Sequence, residues 1–263
     1  MKSLKIKQAS YSAELFLPDT EPSSTYLYAA GFPYSIGKNS AISWLCSMGV
    51  AVFFPQAPGT YDSDGKFCPS SHAELLLRAA TDINSNALTN ARTGGALEGS
   101  VPAVRGIVAH SYGTIAALDF VKAYESVEVA ILFAPILGYC KDHYGYGVRE
   151  DLGEQISYVQ RTRPHTFRLA SRQVILEQSM RCARDISDSR TFRNAFDIVG
   201  VVGDKDSTFD VEILSRHWES FITERIAGPV RTSLIRNENG GHSIGSILSA
   251  DVDSVIKPII IGA

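Results

Sequence analysis

The chain has few cysteines, no excess of positive charge and no long apolar run, and each shortage removes a class of protein. Cys46, Cys68, Cys140 and Cys182 are the only thiols in 263 residues. They form neither a Cys-x-x-Cys pair nor a Cys/His set with zinc-finger spacing, which argues against a structural zinc module. They read as reduced, mostly buried thiols. The formal net charge of -3 leaves no broad basic surface to settle on nucleic-acid phosphates or anionic lipid. No segment approaches the roughly 20 apolar residues that span a bilayer. Met1 to Lys7 carries three lysines, but Gln8, Ser10, Ser12 and Glu14 interrupt the apolar stretch after it, so no secretory signal core is read there. The resulting expectation is a cytoplasmic protein acting on a small molecule, with no nucleic-acid and no membrane partner. The sequence shows no internal repeat.

What is present is the balance of a soluble globular protein with a sizeable buried core, 44% hydrophobic and 20% charged. Short β-type runs alternate with longer helical patterns, as expected for a mostly parallel sheet with helices on both faces. Strands are predicted at Leu4–Gln8, Ala13–Leu17, Thr25–Ala30, Val50–Phe54, Arg105–Ala109, Val127–Phe133, Phe196–Val202 and Arg231–Arg236. Ser70 or Ser71 is expected to cap a helix, with Glu74 three residues after Ser71 and a stripe of Leu75, Leu76, Ala79 and Ile83. Further helices are predicted over Thr114–Tyr124, Val211–Ile226 and Ile244–Val255. Between about Leu137 and Arg193 the pattern changes, with no clear strand and with tyrosines interleaved among arginines. These observations divide the chain into a core, residues 1–136 and 194–263, and an inserted cap, residues 137–193.

The candidate chemistry centres on Ala109-His110-Ser111-Tyr112-Gly113, where a predicted strand and a predicted helix are separated by four residues. A serine hydroxyl becomes a nucleophile when a histidine removes its proton and a carboxylate holds that histidine in the right tautomer. Ser111, Asp206 and His242 occur in the order Ser, Asp, His, each just past a predicted strand. Small residues are needed two before and two after such a serine, and Ala109 and Gly113 meet that need, although alanine stands where glycine is usual. Gly241-His242-Ser243-Ile244-Gly245 matches Gly-x-Ser-x-Gly more literally. Its upstream residues Asn237 to Gly240 form a turn, however, and no histidine follows Ser243 to act as base. For the acid, Asp204 and Asp210 lie on the same loop as Asp206 and would otherwise simply cap the following helix. His217 is the other histidine after Asp206 and falls mid-helix. Acyl transfer also needs donors aimed at the oxyanion. The backbone N-H of Tyr112 is one candidate and that of Phe32, within Gly31-Phe32-Pro33, the other, since Pro33 has no N-H.

Together the elbow, the loop Gly203-Asp204-Lys205-Asp206 and Gly240-Gly241-His242 resemble the α/β-hydrolase superfamily. Pro58 to Gly65 is similar to the segment after the fourth strand in serine aminopeptidase-like and monoglyceride-lipase-like members. The resemblance implies an eight-stranded, mostly parallel sheet and a cap over the site. It does not name a substrate. The chemistry expected is cleavage of an ester or thioester of a small-molecule acyl substrate, with no metal and no organic cofactor. An amidase or aminopeptidase-like enzyme, an acyltransferase and a non-catalytic binding protein are the alternatives. Nine arginines between Arg149 and Arg193 either clamp an anionic substrate group or pair with the acidic residues among them on solvated helix faces.

Overall fold

The computed structural model describes residues 1–137, 151–179, 196–225 and 231–262. Eight strands form one sheet: β1 (Lys2–Lys7), β2 (Ser12–Leu17), β3 (Thr25–Ala29), β4 (Ala51–Pro55), β5 (Val104–His110), β6 (Val129–Phe133), β7 (Asp197–Gly203) and β8 (Thr232–Asn237). Their order is β1-β2-β4-β3-β5-β6-β7-β8. β1 and β2 pair antiparallel, as do β2 and β4, while every pair from β4 onward is parallel. The expected mostly parallel, eight-stranded sheet is therefore what the chain forms. β3, β4 and β6 are buried at every residue, which is why they read as continuous apolar runs and not as alternating ones.

The labelled helices are α1 (Ser40–Ser47), α2 (Pro69–Asn84), α3 (Gly113–Ala123), α4 (Leu152–Thr162), α5 (Val211–Arg225), α6 (Ile244–Ile247) and α7 (Ala250–Ile261). Residues 172–179 are also helical. α2 packs on α3 and both touch β3 and β5. α1 meets β4 and α6, and α7 meets β7 and β8. Two groups of helices thus cover the sheet.

Three boundaries depart from the sequence reading. α1 has no counterpart among the predicted helices; Asn39 starts it by accepting the Ile42 N-H on its side chain (3.0 Å), and Ala41, Ile42, Leu45 and Cys46 form its buried side. α2 begins at Pro69, with Cys68 at the N-cap, and the Cys68 N-H donates to Ser71 Oγ (3.3 Å). Ser71 thus serves the cap from inside the helix instead of being the cap, and proline at the first helical position fixes the start. The last predicted helix is two helices, because Ser249 leaves helical geometry and accepts the Val252 N-H to start α7.

Of the proposed cap, residues 138–150 and 180–193 lie outside the described residues, and with them Tyr139, Tyr144, Tyr146, Arg149 and the arginines from Arg181 to Arg193. Cys140 and Cys182 also lie there, whereas Cys46 and Cys68 are free thiols, the first buried and the second half-buried. Among the described residues no helix is long and apolar enough to cross a membrane.

Candidate active site

Segments at the ends of β3, β5, β6, β7 and β8 converge on one cavity. β5 ends at His110 and α3 starts at Gly113, so Ser111 and Tyr112 must reverse the chain between them. Ser111 does so at φ +50°, a left-handed conformation that a non-glycine residue adopts at a cost of about 1–3 kcal/mol. The turn is held from outside: the Ser111 N-H donates to Phe133 O at the end of β6 (2.9 Å), and the Thr114 N-H and hydroxyl donate to Ser111 O at 2.9 and 2.6 Å. Gly113 is required by proximity, since a Cβ there would run into the carbonyl oxygens of Ala29 and Ala30. Ala109, fully buried, meets the need for a small residue at the other end of the turn.

His242 follows β8 and the turn at 238–239, and its imidazole reaches both partners. Nε2 lies 3.1 Å from Ser111 Oγ and Nδ1 lies 2.8 Å from Asp206 Oδ2. With the carboxylate accepting from Nδ1-H, Nε2 is left as acceptor for the serine proton. Asp206 sits after β7 with its side chain only 1% exposed. Its second oxygen accepts the N-H groups of Thr208 (2.8 Å) and Phe209 (3.2 Å). These bonds fix the direction of the carboxylate.

The rival residues have other tasks. Asp204 pairs with Arg236 (2.8 Å), which also holds Glu212 (2.7 Å). Asp210 accepts the Ile213 N-H at the start of α5 (3.1 Å). Ser243 is exposed and caps α6 by accepting the Ser246 N-H. His217 stays within α5 and does not line the cavity that holds Ser111.

Two supports of His242 escaped the sequence reading. The Phe209 ring stacks on its imidazole (centroids 5.2 Å apart, 18° between planes). His110, the elbow residue before the serine, donates from Nε2 to the His242 carbonyl (2.9 Å). Burial, and then the neighbouring His242, lower the His110 pKa to about 4, so it is neutral at physiological pH and holds the His242 backbone without adding a charge beside it. Its place inside the serine motif is the one signal that pointed to it.

The cavity has a volume of about 430 Å³ and is lined by Ser111, His242, Gly31, Phe32 and Tyr112 together with Tyr28, Tyr34, Asn39, Ile136, Leu152, Gln155 and Phe209. The two expected oxyanion donors thus border the same space as the serine. Gly31 lies against the elbow, with a Cβ there 3.2 Å from Ser111 Cβ and from His110 O. Burial raises the Tyr28 and Tyr34 hydroxyl pKa values well above the usual one, against smaller lowering by hydrogen bonds with Asn39 and with Thr60. Both phenols stay neutral. The described arginines between β6 and β7 do not border this cavity. Arg168 instead donates to the backbone oxygens of Tyr61 and Ser63.

No protein-family model matches the sequence, and no curated protein matches it either. Solved structures do match along the whole chain. The protein DcsB, determined with a substrate analogue, is 14% identical at a TM-score of 0.67, covering 99% of this chain and 98% of its own. The esterase Pf2001 of Pyrococcus furiosus gives 12% identity, a TM-score of 0.62 and coverage of 99% and 92%. Alpha/beta hydrolase domain-containing protein 10 from mouse gives 15%, 0.60, 97% and 98%. The chain has the α/β-hydrolase fold.

Proposed function

We propose that the protein is a serine hydrolase that cleaves a carboxylic ester or thioester through an acyl-enzyme on Ser111. The observation that carries this reading is the unbroken chain Ser111 Oγ, His242, Asp206, at 3.1 and 2.8 Å, beginning on a strained elbow residue that borders a cavity. His242 Nε2 takes the serine proton as Oγ attacks the acyl carbonyl. Asp206 stabilises the imidazolium that results, and the Phe32 and Tyr112 N-H groups receive the oxyanion. The imidazolium then protonates the leaving alcohol or thiol. A water molecule, deprotonated by the same histidine, releases the acid and restores the hydroxyl.

Residues 137–193 act as a cap in this reading, supported by Leu152 and Gln155 of α4, which line the cavity. Pf2001, of the same fold, is an esterase, which favours an ester over an amide. The described lining of the cavity also contains no Asp or Glu to receive a substrate amine. The free thiols of Cys46 and Cys68 suit a reducing cytoplasm.

A fluorophosphonate probe is expected to label Ser111, and the full chain is expected to hydrolyse p-nitrophenyl acyl esters faster than aminoacyl anilides. Labelling of another serine with Ser111 untouched would remove the nucleophile assignment. Anilide turnover without ester turnover would replace the esterase reading with an amidase.

A further inference from the structure

The described parts of the insertion touch the two residues assigned to the oxyanion, and they do so by separate routes. The first route is aromatic. Phe167, 2% exposed, stands edge-on to the Phe32 ring (centroids 5.6 Å apart, 90° between planes), while Phe67 stacks on Phe32 (4.9 Å, 12°). The backbone around Phe167 is tied to the segment after β4. The Arg168 N-H donates to Gly59 O (2.6 Å), the Phe67 N-H to Arg168 O (2.9 Å) and the Tyr61 N-H to Thr166 O (2.8 Å). Gly59, at φ +72°, permits this approach, because a Cβ there would overlap Arg168 O and the Phe67 nitrogen.

The second route is polar. Ser179, fully buried at the end of helical residues 172–179, has its Oγ 2.7 Å from the Tyr112 hydroxyl. The serine has one proton and donates it to Ile175 O (2.7 Å). The Tyr112 hydroxyl is therefore the donor to Ser179 Oγ. Tyr112 is itself 4% exposed and forms the N-cap of α3. Its backbone is fixed by the elbow and its ring tip by the insertion, so the peptide that carries its N-H has little freedom to turn. Such a donor must be aimed before reaction, since displacement of a reacting or stabilising group by about 1 Å costs up to a hundredfold in rate.

We propose that the inserted segment positions both oxyanion donors, Ser179 acting through the Tyr112 hydroxyl and Phe167 through the Phe32 ring. Neither Ser179 nor Phe167 contacts the reacting atoms; both are positioning residues. The proposal rests on Ser111 being the nucleophile.

The test is steady-state kinetics of the full chain on p-nitrophenyl butyrate. Tyr112→Phe and Ser179→Ala are each expected to lower kcat by roughly tenfold with KM changed by less than about twofold. The double variant should be no worse than either single one, because both remove the same bond, whereas Phe167→Leu should add its own loss to that of Tyr112→Phe. Tyr112→Phe keeps the ring and its packing, so it carries the test even where Ser179→Ala does not fold. A kcat within about twofold of the parent in folded Tyr112→Phe, whatever its unfolding midpoint, overturns the Ser179 route, and the same result in Phe167→Leu overturns the other. If Ser111→Ala itself keeps turnover, the nucleophile reading fails and the proposal with it. If Ser111→Ala is inactive while the other variants are unaffected, only the proposal fails.

Discussion

Three carboxylates stand within seven residues of one another after β7, and their surroundings separate their roles. Asp206 is enclosed and meets the imidazole at 2.8 Å, while Asp204 is 26% exposed and meets Arg236. Asp206→Asn removes the group that fixes the His242 tautomer and is expected to lower kcat by about four orders of magnitude, with Ser111 still present. Asp204→Asn breaks a partly solvated ion pair worth about 0–1 kcal/mol and should leave kcat within roughly threefold of the parent. Side-by-side ester kinetics check the pair, and equal losses would place the acid elsewhere. Chain order led to Asp206 in the sequence, but nothing in the spacing alone told it from Asp204. The choice depends on which oxygen reaches Nδ1, and that is set by the two amides of Thr208 and Phe209 that clamp the other oxygen.

The elements bring these side chains together through loops that touch at glycine. A Cβ on Gly203, the last residue of β7, would strike the Gly240 carbonyl, so the acid loop and the histidine loop approach more closely than any other residue allows. The Lys205 N-H donates to Gly240 O (2.9 Å) across the same contact. Gly203→Ala is expected to destabilise the fold by about 1–3 kcal/mol, the usual cost of overpacking, and to lower kcat by more than the stability loss explains, because it separates Asp206 from His242. Urea unfolding together with kcat measures both parts, and an unchanged kcat in a destabilised variant would show that the loops move as one. At this scale the strands were legible, because β4 and β6 are compact apolar runs bounded by turn formers. α1 was not, since eight residues make barely two turns and give too short a stripe for helical periodicity to stand out. The break before α7 was missed for the opposite reason: the apolar pattern continues across Leu248 and Ser249, and only the backbone departs from it.

For the whole molecule, burial of histidine makes stability depend on pH. His72 on α2 is 3% exposed, and burial lowers its pKa to about 4 from an ordinary value of 6.5. Between those values the unfolded chain binds a proton that the native chain refuses, so stability falls as pH drops from about 6.5 towards 4. The loss is at most about 1.4 kcal/mol per pH unit for each such group. His110 adds a second group with the same sign. Urea midpoints taken from pH 7 to 4.5 should fall, and His72→Leu should reduce the slope by up to about one proton; an unaltered slope would mean that His72 is protonated in the folded chain.

The sequence by itself determined the sheet, the elbow and the candidate residue types Ser, Asp and His, because those depend on local patterns: apolar runs, turn formers and a small-x-Ser-x-small motif between strand and helix. Tertiary structure alone decided which aspartate faces the histidine, that His110 and Phe209 brace it, and that Phe167 and Ser179, between β6 and β7, reach Phe32 and Tyr112. Those choices are contacts between residues far apart in the chain, such as Phe32 with Phe167 and His110 with His242. No local periodicity records such contacts, since they exist only once the strand ends have been brought to one edge of the sheet.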